Sequence, residues 1–348
     1  MTEYKRNKIA PISVFFLLFI SRIIVSLTNA QSVTSGLIKT DILISIIIAM
    51  GINLILSIPA LLCYQKNKSP FDIKWVSYFY AIYFIFLAGV NISRFSYFAS
   101  TVLNPESPAW IFSLIIAVCI AYASRLGIES IARFSAFAFI LVFITIIAGL
   151  GSNIENYQEV NLYPVITNST EHIIKNILYI TSSSTEVVIL LCIGKRVNGE
   201  ATKPYVFSVL ASFLTTFILM LFVNAVMGDA ASLNAFPIYT LFQLSHIGLF
   251  GRIDMLHISL WIFGVFLKSV LLTYCASTSI KKYKNDYKCI AFSSLSFIVS
   301  IVFTEVMDLA RVSPMAFVIP YIVSCVIIPL LCLMLKKKNF GDELIEKF

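Results

Sequence analysis

A cluster of hydroxyl side chains stands directly before an isolated acid in the second half of the chain. Every residue from 181 to 185 is Ser or Thr, and Glu186, the only acidic residue deep within an apolar stretch, follows at once. Ser and Thr hydroxyls compete with the helical backbone for hydrogen bonds. The run therefore predicts an interrupted helix whose free backbone groups bind a ligand. The alternative is an intact helix whose hydroxyls bond back to its own carbonyls.

Glu186 needs a partner if its apolar stretch lies in a bilayer. An ionised side chain in the bilayer core costs at least ~2.5 kcal/mol on insertion scales. Arg22 and Lys268 lie at similar depths within other apolar stretches. We expect Glu186 to pair with one of these two cations beside a ligand cavity. A purely structural ion pair is the alternative.

The first apolar stretch adds further hydroxyls to this predicted site. Ser26 and Thr28 follow Arg22 by four and six residues, which is within two helical turns. The candidate ligand-binding residues are therefore Ser26, Thr28, Ser182, Ser183, Ser184 and Glu186, with Arg22 and Lys268 as charge partners.

Other kinds of chemistry find no support in the sequence. There is no GxxxxGK[ST], HExxH or GxSxG motif, and no catalytic cluster. The seven cysteines form no CxxC, and no histidine stands at metal-ligand spacing from them. We predict no catalytic residue, no metal site and no cofactor, and so a protein that is not an enzyme.

The composition is that of a membrane protein. Hydrophobic residues make up 59% of the 348 residues and charged residues 13%, with a mean hydropathy of +0.89. Soluble domains have about 45–50% apolar and about 25% charged residues. A spanning helix needs about 20 apolar residues, and such stretches recur along one all-α domain, residues 1–348. The ten predicted spans are about 9–30, 41–63, 75–102, 110–124, 128–150, 173–193, 205–227, 252–280, 289–303 and 314–335.

The basic residues orient these spans. Of the 26 Lys and Arg residues, 18 fall in the termini and alternate loops of one side, 4 in the opposite loops and 4 within spans. Basic loops face the cytoplasm, so we predict that both termini are cytoplasmic. The net charge of +8 is thereby explained without a nucleic-acid partner.

Ten spans divide into two halves that enter the membrane from opposite sides. We place the first repeat at about 9–150, the second at about 171–335 and a cytoplasmic tail at 336–348. Inverted repeats are common in secondary transporters, whose ligand sites use broken helices. We therefore expect breaks in spans one and six. In the long loop 228–251, Leu241, Phe242 and Leu244 indicate a short amphipathic helix over the outer face, or else a disordered loop.

Several segments resemble the B subunit of GerA-type spore germinant receptors, the endospore germination permease family of the amino acid–polyamine–organocation superfamily. The segments are 104–110 (NPESPAW), 127–133 (GIESIAR), 161–165 (NLYPV), 183–186 (SSTE, for the family's SGFE) and 252–268, with Arg252, Asp254, Trp261 and Lys268. They follow in the family's order from the third span to the eighth. The family's glycine-rich break in span one is here the glycine-free segment 22–26, and its SGFE glycine is Ser184.

The resemblance implies a LeuT-like fold with a 5+5 inverted repeat. It also implies a small nutrient germinant, most often an amino acid, A and C receptor subunits as partners, and a place in the spore inner membrane. The larger residues at the two breaks would narrow a cavity and change the ligand or weaken its binding. An autonomous proton- or sodium-coupled amino-acid permease is the alternative function.

Overall fold

The structure is a computed structural model that describes residues 8–32, 40–166, 169–245, 254–280, 285–306 and 315–334. Within these ranges, the side chains of residues 25–32, 285, 305–306 and 315–316 are left undescribed. The chain is almost entirely helical there. Its α-helices are α1 Pro11–Ser32, α2 Asp41–Gln65, α3 Lys74–Phe98, α4 Ala109–Arg125, α5 Ile128–Ser152, α6 Thr170–Ser182, α7 Glu186–Ile193, α8 Thr202–Met227, α9 Ala230–Leu233, α10 Pro237–Gln243, α11 Asp254–Ser279, α12 Asn285–Val306, α13 Met315–Ile322 and α14 Ile328–Met334.

The long helices fall on the predicted spans. Among the described residues, eight helical stretches are long and apolar enough to cross a membrane, counting α6–α7 and α13–α14 as one stretch each. Two shorter apolar helices, Pro11–Ile24 and Ala109–Arg125, lie at the first and fourth predicted spans. The prediction of an all-α, multi-pass protein is confirmed. Ten crossings, the inverted repeat and the division of the chain into halves and a tail remain predictions.

The surface of the bundle is apolar and its interior is rich in polar groups. On α5, Phe137, Ile140, Ile144 and Ile147 are each more than half exposed and recur every three or four residues. Such a stripe faces lipid when the helix lies at the edge of a bundle. Buried polar residues include Ser21, Arg22, Asn53, Asn91, Glu186 and Lys268.

Glycine and proline fix several helix boundaries. Gly127 precedes α5 with φ +86°, and Gly228 follows α8 with φ +52°. Residues with a side chain rarely adopt such positive φ values, so glycine permits these turns. Pro237 opens α10, where its missing N–H costs no helical hydrogen bond.

The predicted break in the first span is wrong. Helix α1 is continuous from Pro11 to Ser32. Its interior contains neither glycine nor proline, and its backbone stays helical through the predicted break. The structure describes the backbone at Ser26 and Thr28 but not their side chains.

Helix α1 lies at the centre of the bundle. It packs against α5, α8 and α11 and contacts α7 and α3. Its approach to α11 is close, because a Cβ added at Gly264 would collide with the side chain of Ile24. The sixth span packs against α2 through both α6 and α7. These contacts bring α1, α6, α7 and α11 together.

The far end of α7 is joined to the segment before α1. The Ile9 amide donates to the Arg196 carbonyl at 2.9 Å, and the Asn198 amide donates to the Ile9 carbonyl at 2.9 Å. These bonds form an isolated parallel bridge between Ile9 and Val197. Beside it, the Lys195 ammonium lies 3.1 Å from the Asp72 carboxylate.

The long loop after α8 contains the predicted short helix. Helix α10 carries Leu241 and Phe242, both buried, whereas Leu244 follows its end. Phe242 stacks on His257 of α11 with 4.5 Å between ring centroids. The helix is therefore packed into the bundle, and the alternative of a disordered loop is wrong for residues 237–243.

Candidate functional site

The sixth span is interrupted at its hydroxyl run. Helix α6 ends at Ser182, α7 begins at Glu186, and three residues between them are not helical. The Ser183 and Ser184 hydroxyls both donate to the Ile180 carbonyl, at 2.8 Å and 3.1 Å. This carbonyl lies in the last turn of α6, where helical acceptors lose their own donors. The hydroxyls thus bond back to carbonyls, as the alternative supposed, but in a helix that is broken.

Glu186 pairs with a cation from the eighth predicted span. The Lys268 ammonium on α11 lies 3.6 Å from Glu186 Oε1, and both side chains are buried. The Ser21 hydroxyl on α1 donates to the same carboxylate oxygen at 3.3 Å. Lys268 also donates to the Ser21 carbonyl at 2.9 Å. One ion pair therefore joins α1, α7 and α11.

Arg22 lies on the other side of the break. Its guanidinium donates to the Ser183 hydroxyl at 3.1 Å and to the Ile180 carbonyl at 3.4 Å. It also lies 4.3 Å above the centre of the Phe213 ring of α8. The carboxyl end of a helix carries partial negative charge, so a cation is favourable at the end of α6. Arg22 therefore binds the end of α6, while Lys268 binds Glu186.

The buried charged side chains lie beside the two helix ends at the break. Glu186 is the first residue of α7, where the partial positive charge of a helix start favours a carboxylate. Removing either member of a buried ion pair leaves an uncompensated charge. Glu186, Lys268 and Arg22 therefore form one structural and electrostatic unit at the break, and this unit holds two cations and one carboxylate.

Two threonine hydroxyls at the break have no partner among the described residues. They belong to Thr181 in the last turn of α6 and Thr185 at the N-cap of α7. Both are buried, with exposed fractions of 5% and 1%. A buried hydroxyl without a hydrogen bond is costly, so these two atoms lack the bonds that burial normally requires. The hydroxyl run hinted at both threonines, but our sequence analysis selected only its serines and Glu186.

The remaining candidates are placed as follows. Ser182, Ser183 and Ser184 lie at the break, and the Ser182 hydroxyl donates to the Tyr179 carbonyl at 3.1 Å. The side chains of Ser26 and Thr28 lie outside the described residues. Ser21 was missed as a site residue, although its position next to Arg22 was a usable signal. Phe213 carried no signal in the sequence.

The two other arginines within predicted spans lie elsewhere. Arg94 on α3 donates to the Tyr179 hydroxyl of α6 at 2.5 Å and lies 5.8 Å from the Phe317 ring centre on α13. It therefore connects three helices. Arg133 pairs with Glu129 at 2.5 Å on the exposed side of α5. Its contacts place Arg133 away from the break.

Solved structures of other proteins share this architecture. Among 35 matching chains, one is described as the substrate-bound outward-open state of a Na+-coupled sialic acid symporter. It aligns with a TM-score of 0.52 and 16% sequence identity over 97% of this chain and 82% of its own. At this identity the likeness shows the fold alone, which is LeuT-like. No curated protein sequence matches the chain significantly.

The family assignment comes from the sequence of nearly the whole chain. Residues 8–309 match the spore permease family, described as spore germination proteins. The match contains α1 through α12 and therefore the whole cluster around Glu186. The expected family resemblance is confirmed: the chain is a multi-pass membrane protein that belongs to the spore germination permease family.

Proposed function

We propose that this protein is the transporter-like B subunit of a spore germinant receptor. It binds a small nutrient germinant, an amino acid by expectation, at the break between α6 and α7. It signals through A and C subunits in the spore inner membrane, with both of its own termini in the cytoplasm. The observation that carries the proposal is the buried cluster of Glu186, Lys268 and Arg22 at a helix break in a chain of this family.

A germinant that binds at this break can change the conformation of the protein directly. A ligand shifts a conformational equilibrium only if it prefers one state. The Glu186–Lys268 pair joins α1, α7 and α11, and Arg22 joins α1 to α6 through the Ile180 carbonyl. A germinant that competes for these groups changes how the four helices are held together, and partner subunits can respond to that change.

Germination of intact spores tests the proposal. A strain lacking this chain is complemented with the wild type, with Glu186→Gln or with Arg133→Gln, the last altering only the exposed pair on α5. Spores are challenged with amino acids, sugars and salts, and germination is followed by loss of optical density. We expect the deletion and Glu186→Gln to lose the response to one germinant, while Arg133→Gln retains it.

The amount of each variant in the spore membrane is measured as well, so that a lost response can be distinguished from a lost protein. If Glu186→Gln lowers the amount of protein, the double variant Glu186→Gln with Lys268→Met removes both charges and is tested in its place. Normal protein amounts together with an unchanged response to every germinant would contradict the proposal.

A second candidate function is an autonomous ion-coupled amino-acid permease. The LeuT-like fold favours it, because this fold is shared with a transporter. Uptake of a labelled amino acid into vesicles that contain this chain alone would support the permease. Neighbouring genes for A and C subunits, and transcription confined to the forespore, would support the receptor.

A further inference from the structure

Two cysteines place a pair of thiols between α7 and α11. Cys192 lies in the last turn of α7, and Cys275 lies in the last two turns of α11. The Cys192 thiol donates to the Cys275 carbonyl at 3.5 Å and lies 3.5 Å from the Thr278 hydroxyl. The two thiols also contact each other, and both cysteines are free. This pair therefore joins the same two helices as the Glu186–Lys268 ion pair.

The thiol pair and the ion pair hold α7 to α11 at two levels. Cys192 follows Glu186 by six residues, and Cys275 follows Lys268 by seven. At 1.5 Å per residue, the two pairs lie about 10 Å apart along the helices. The ion pair can separate when a ligand competes for its charges. A disulfide between the two cysteines would instead fix the end of α7 to α11 covalently.

A second thiol pair offers an internal comparison. Cys63 on α2 and Cys332 on α14 contact each other through their thiols, and the Cys63 thiol donates to the Pro329 carbonyl at 3.1 Å. Neither helix carries a charged residue of the cluster at the break, and the pair does not involve α7. Oxidation of this second pair would therefore leave α7 unlinked from α11.

The two thiols between α7 and α11 differ in access, which sets the order of their reactions. Cys192 is half-buried and Cys275 is fully buried, so a small organic disulfide reaches Cys192 first. The Cys192 thiolate attacks one sulfur of the reagent, breaks its S–S bond and forms a mixed disulfide, with release of one organic thiol. The Cys275 thiolate then attacks the Cys192 sulfur and displaces the second organic thiol. Two protein thiols are thereby oxidised, and the reagent is reduced to two thiols that carry the two protons.

We infer that Cys192 and Cys275 form a redox-sensitive modification site whose substrates are small organic disulfides. The disulfide fixes α7 to α11 and blocks the response to germinant, whereas the reduced protein responds. The blocked response rests on the proposed function, and the formation of the disulfide does not.

Peptide mapping of the full-length chain in lipid nanodiscs tests the modification site. The chain is treated with dipyridyl disulfide, the remaining thiols are alkylated, and the digest is analysed by mass spectrometry without reduction. We expect a linked pair of peptides that contains Cys192 and Cys275, and its disappearance after dithiothreitol. Recovery of the two cysteines unlinked, whether alkylated or as mixed disulfides, would overturn the inference.

A serine variant tests the order of the two steps. In Cys275→Ser, no second thiol can displace the pyridylthio group, so we expect Cys192 to retain a mixed disulfide. Cys332→Ser is the matched control, because it removes one thiol of the other pair. It should give the linked Cys192–Cys275 peptides in wild-type yield. A stable mixed disulfide at Cys192 in the wild type as well would show that Cys275 does not reach it, and would contradict the inference.

Germination of oxidised spores tests the effect on the response. Wild-type, Cys192→Ser and Cys63→Ser spores are treated with dipyridyl disulfide and then challenged with the germinant that the deletion test identifies. We expect the response of wild-type and Cys63→Ser spores to fall in proportion to the linked fraction and to return after dithiothreitol. Cys192→Ser spores should keep responding. If this variant accumulates poorly, Cys275→Ser, which is equally unable to form the link, takes its place.

The results for the thiols and for the receptor can be told apart. Loss of the response in Cys192→Ser spores, or a full response in wild-type spores whose protein is linked, would overturn the block and leave the receptor proposal standing. If the linked peptides form but deletion of the chain leaves germination intact, the receptor proposal fails and the modification site stands.

Discussion

Helix α1 and the α6–α7 pair meet at one cluster, but they contribute to it differently. Helix α1 is unbroken and contributes the Arg22 side chain together with the hydroxyl and carbonyl of Ser21. The sixth span is broken and contributes two helix ends, one with carbonyl acceptors and one with amide donors. The first predicted half therefore contributes one charged side chain, whereas the second contributes two charged side chains together with the helix ends.

This difference shows how a polar centre can form around a single break. The guanidinium of α1 lies against the carbonyl end of α6, where a cation is favourable. The carboxylate that opens α7 binds the ammonium of α11. The two contributions are complementary, and neither helix could form the cluster alone.

The largest expected effect comes from separating the buried ion pair. Glu186→Leu leaves the Lys268 ammonium uncompensated, and such a loss costs about 3–5 kcal/mol. We expect the free energy of unfolding in nanodiscs to fall by about this amount. Adding Lys268→Met should restore most of the loss. A double variant no more stable than Glu186→Leu would show that the two side chains are not coupled.

The next effect tests the close approach of the unbroken helix to α11. A Cβ at Gly264 would collide with Ile24 of α1, and overpacking costs about 1–3 kcal/mol. We expect Gly264→Ala to lower the free energy of unfolding by this amount. Gly51→Ala is the control, because nothing lies within 4 Å of its added Cβ. It should be neutral or stabilising by about 0.5–1 kcal/mol. Equal losses in both would contradict the close contact.

A smaller effect compares two neighbouring serines at the break. Ser183→Ala removes an acceptor of Arg22, whereas Ser182→Ala removes only a hydroxyl that bonds to its own helix. Polar bonds between membrane helices average about 0.6 kcal/mol and reach about 1.7. Because Arg22 is charged, we expect the upper value for Ser183→Ala and less for Ser182→Ala. The reverse order of unfolding temperatures would argue against the contact between α1 and α6.

The smallest effect is expected at the exposed pair on α5. Arg133 is 80% exposed at its side chain, where it meets Glu129. Exposed ion pairs contribute about 0–1 kcal/mol and often nothing measurable. Arg133→Ala should therefore leave both the unfolding temperature and the germination response unchanged. Loss of the response at normal protein amounts would extend the functional region beyond the break.

The break and its charges could be predicted because the signals were local and few. Five successive hydroxyls gave the position of the interruption, and an acid in an apolar stretch required a cation. Arg22 and Lys268 were the candidates, and Lys268 lies beside Glu186 in the structure. The ligand roles of the serines and Glu186 remain predictions.

Other features could not be read from the sequence because they depend on which helices touch. Nearly all positions of these spans are apolar, so periodicity does not reveal that Phe213 faces Arg22 or that Tyr179 faces Arg94. The expected break in α1 followed from the pattern of inverted repeats in secondary transporters, and this chain lacks the glycines of the related family's break there. Without them, the backbone of α1 continues as a helix through Ser26.

Helix α7 is a short helix with a different kind of interaction at each of its two ends. Its eight residues form a rod about 12 Å long at 1.5 Å per residue. An ion pair holds one end, and the main-chain bridge to Ile9 lies just beyond the other. A tilt of α7 that began at Glu186 would therefore also displace the segment before α1. If the proposed partner subunit binds the segment before α1, it would respond to an occupied site without contacting the ligand.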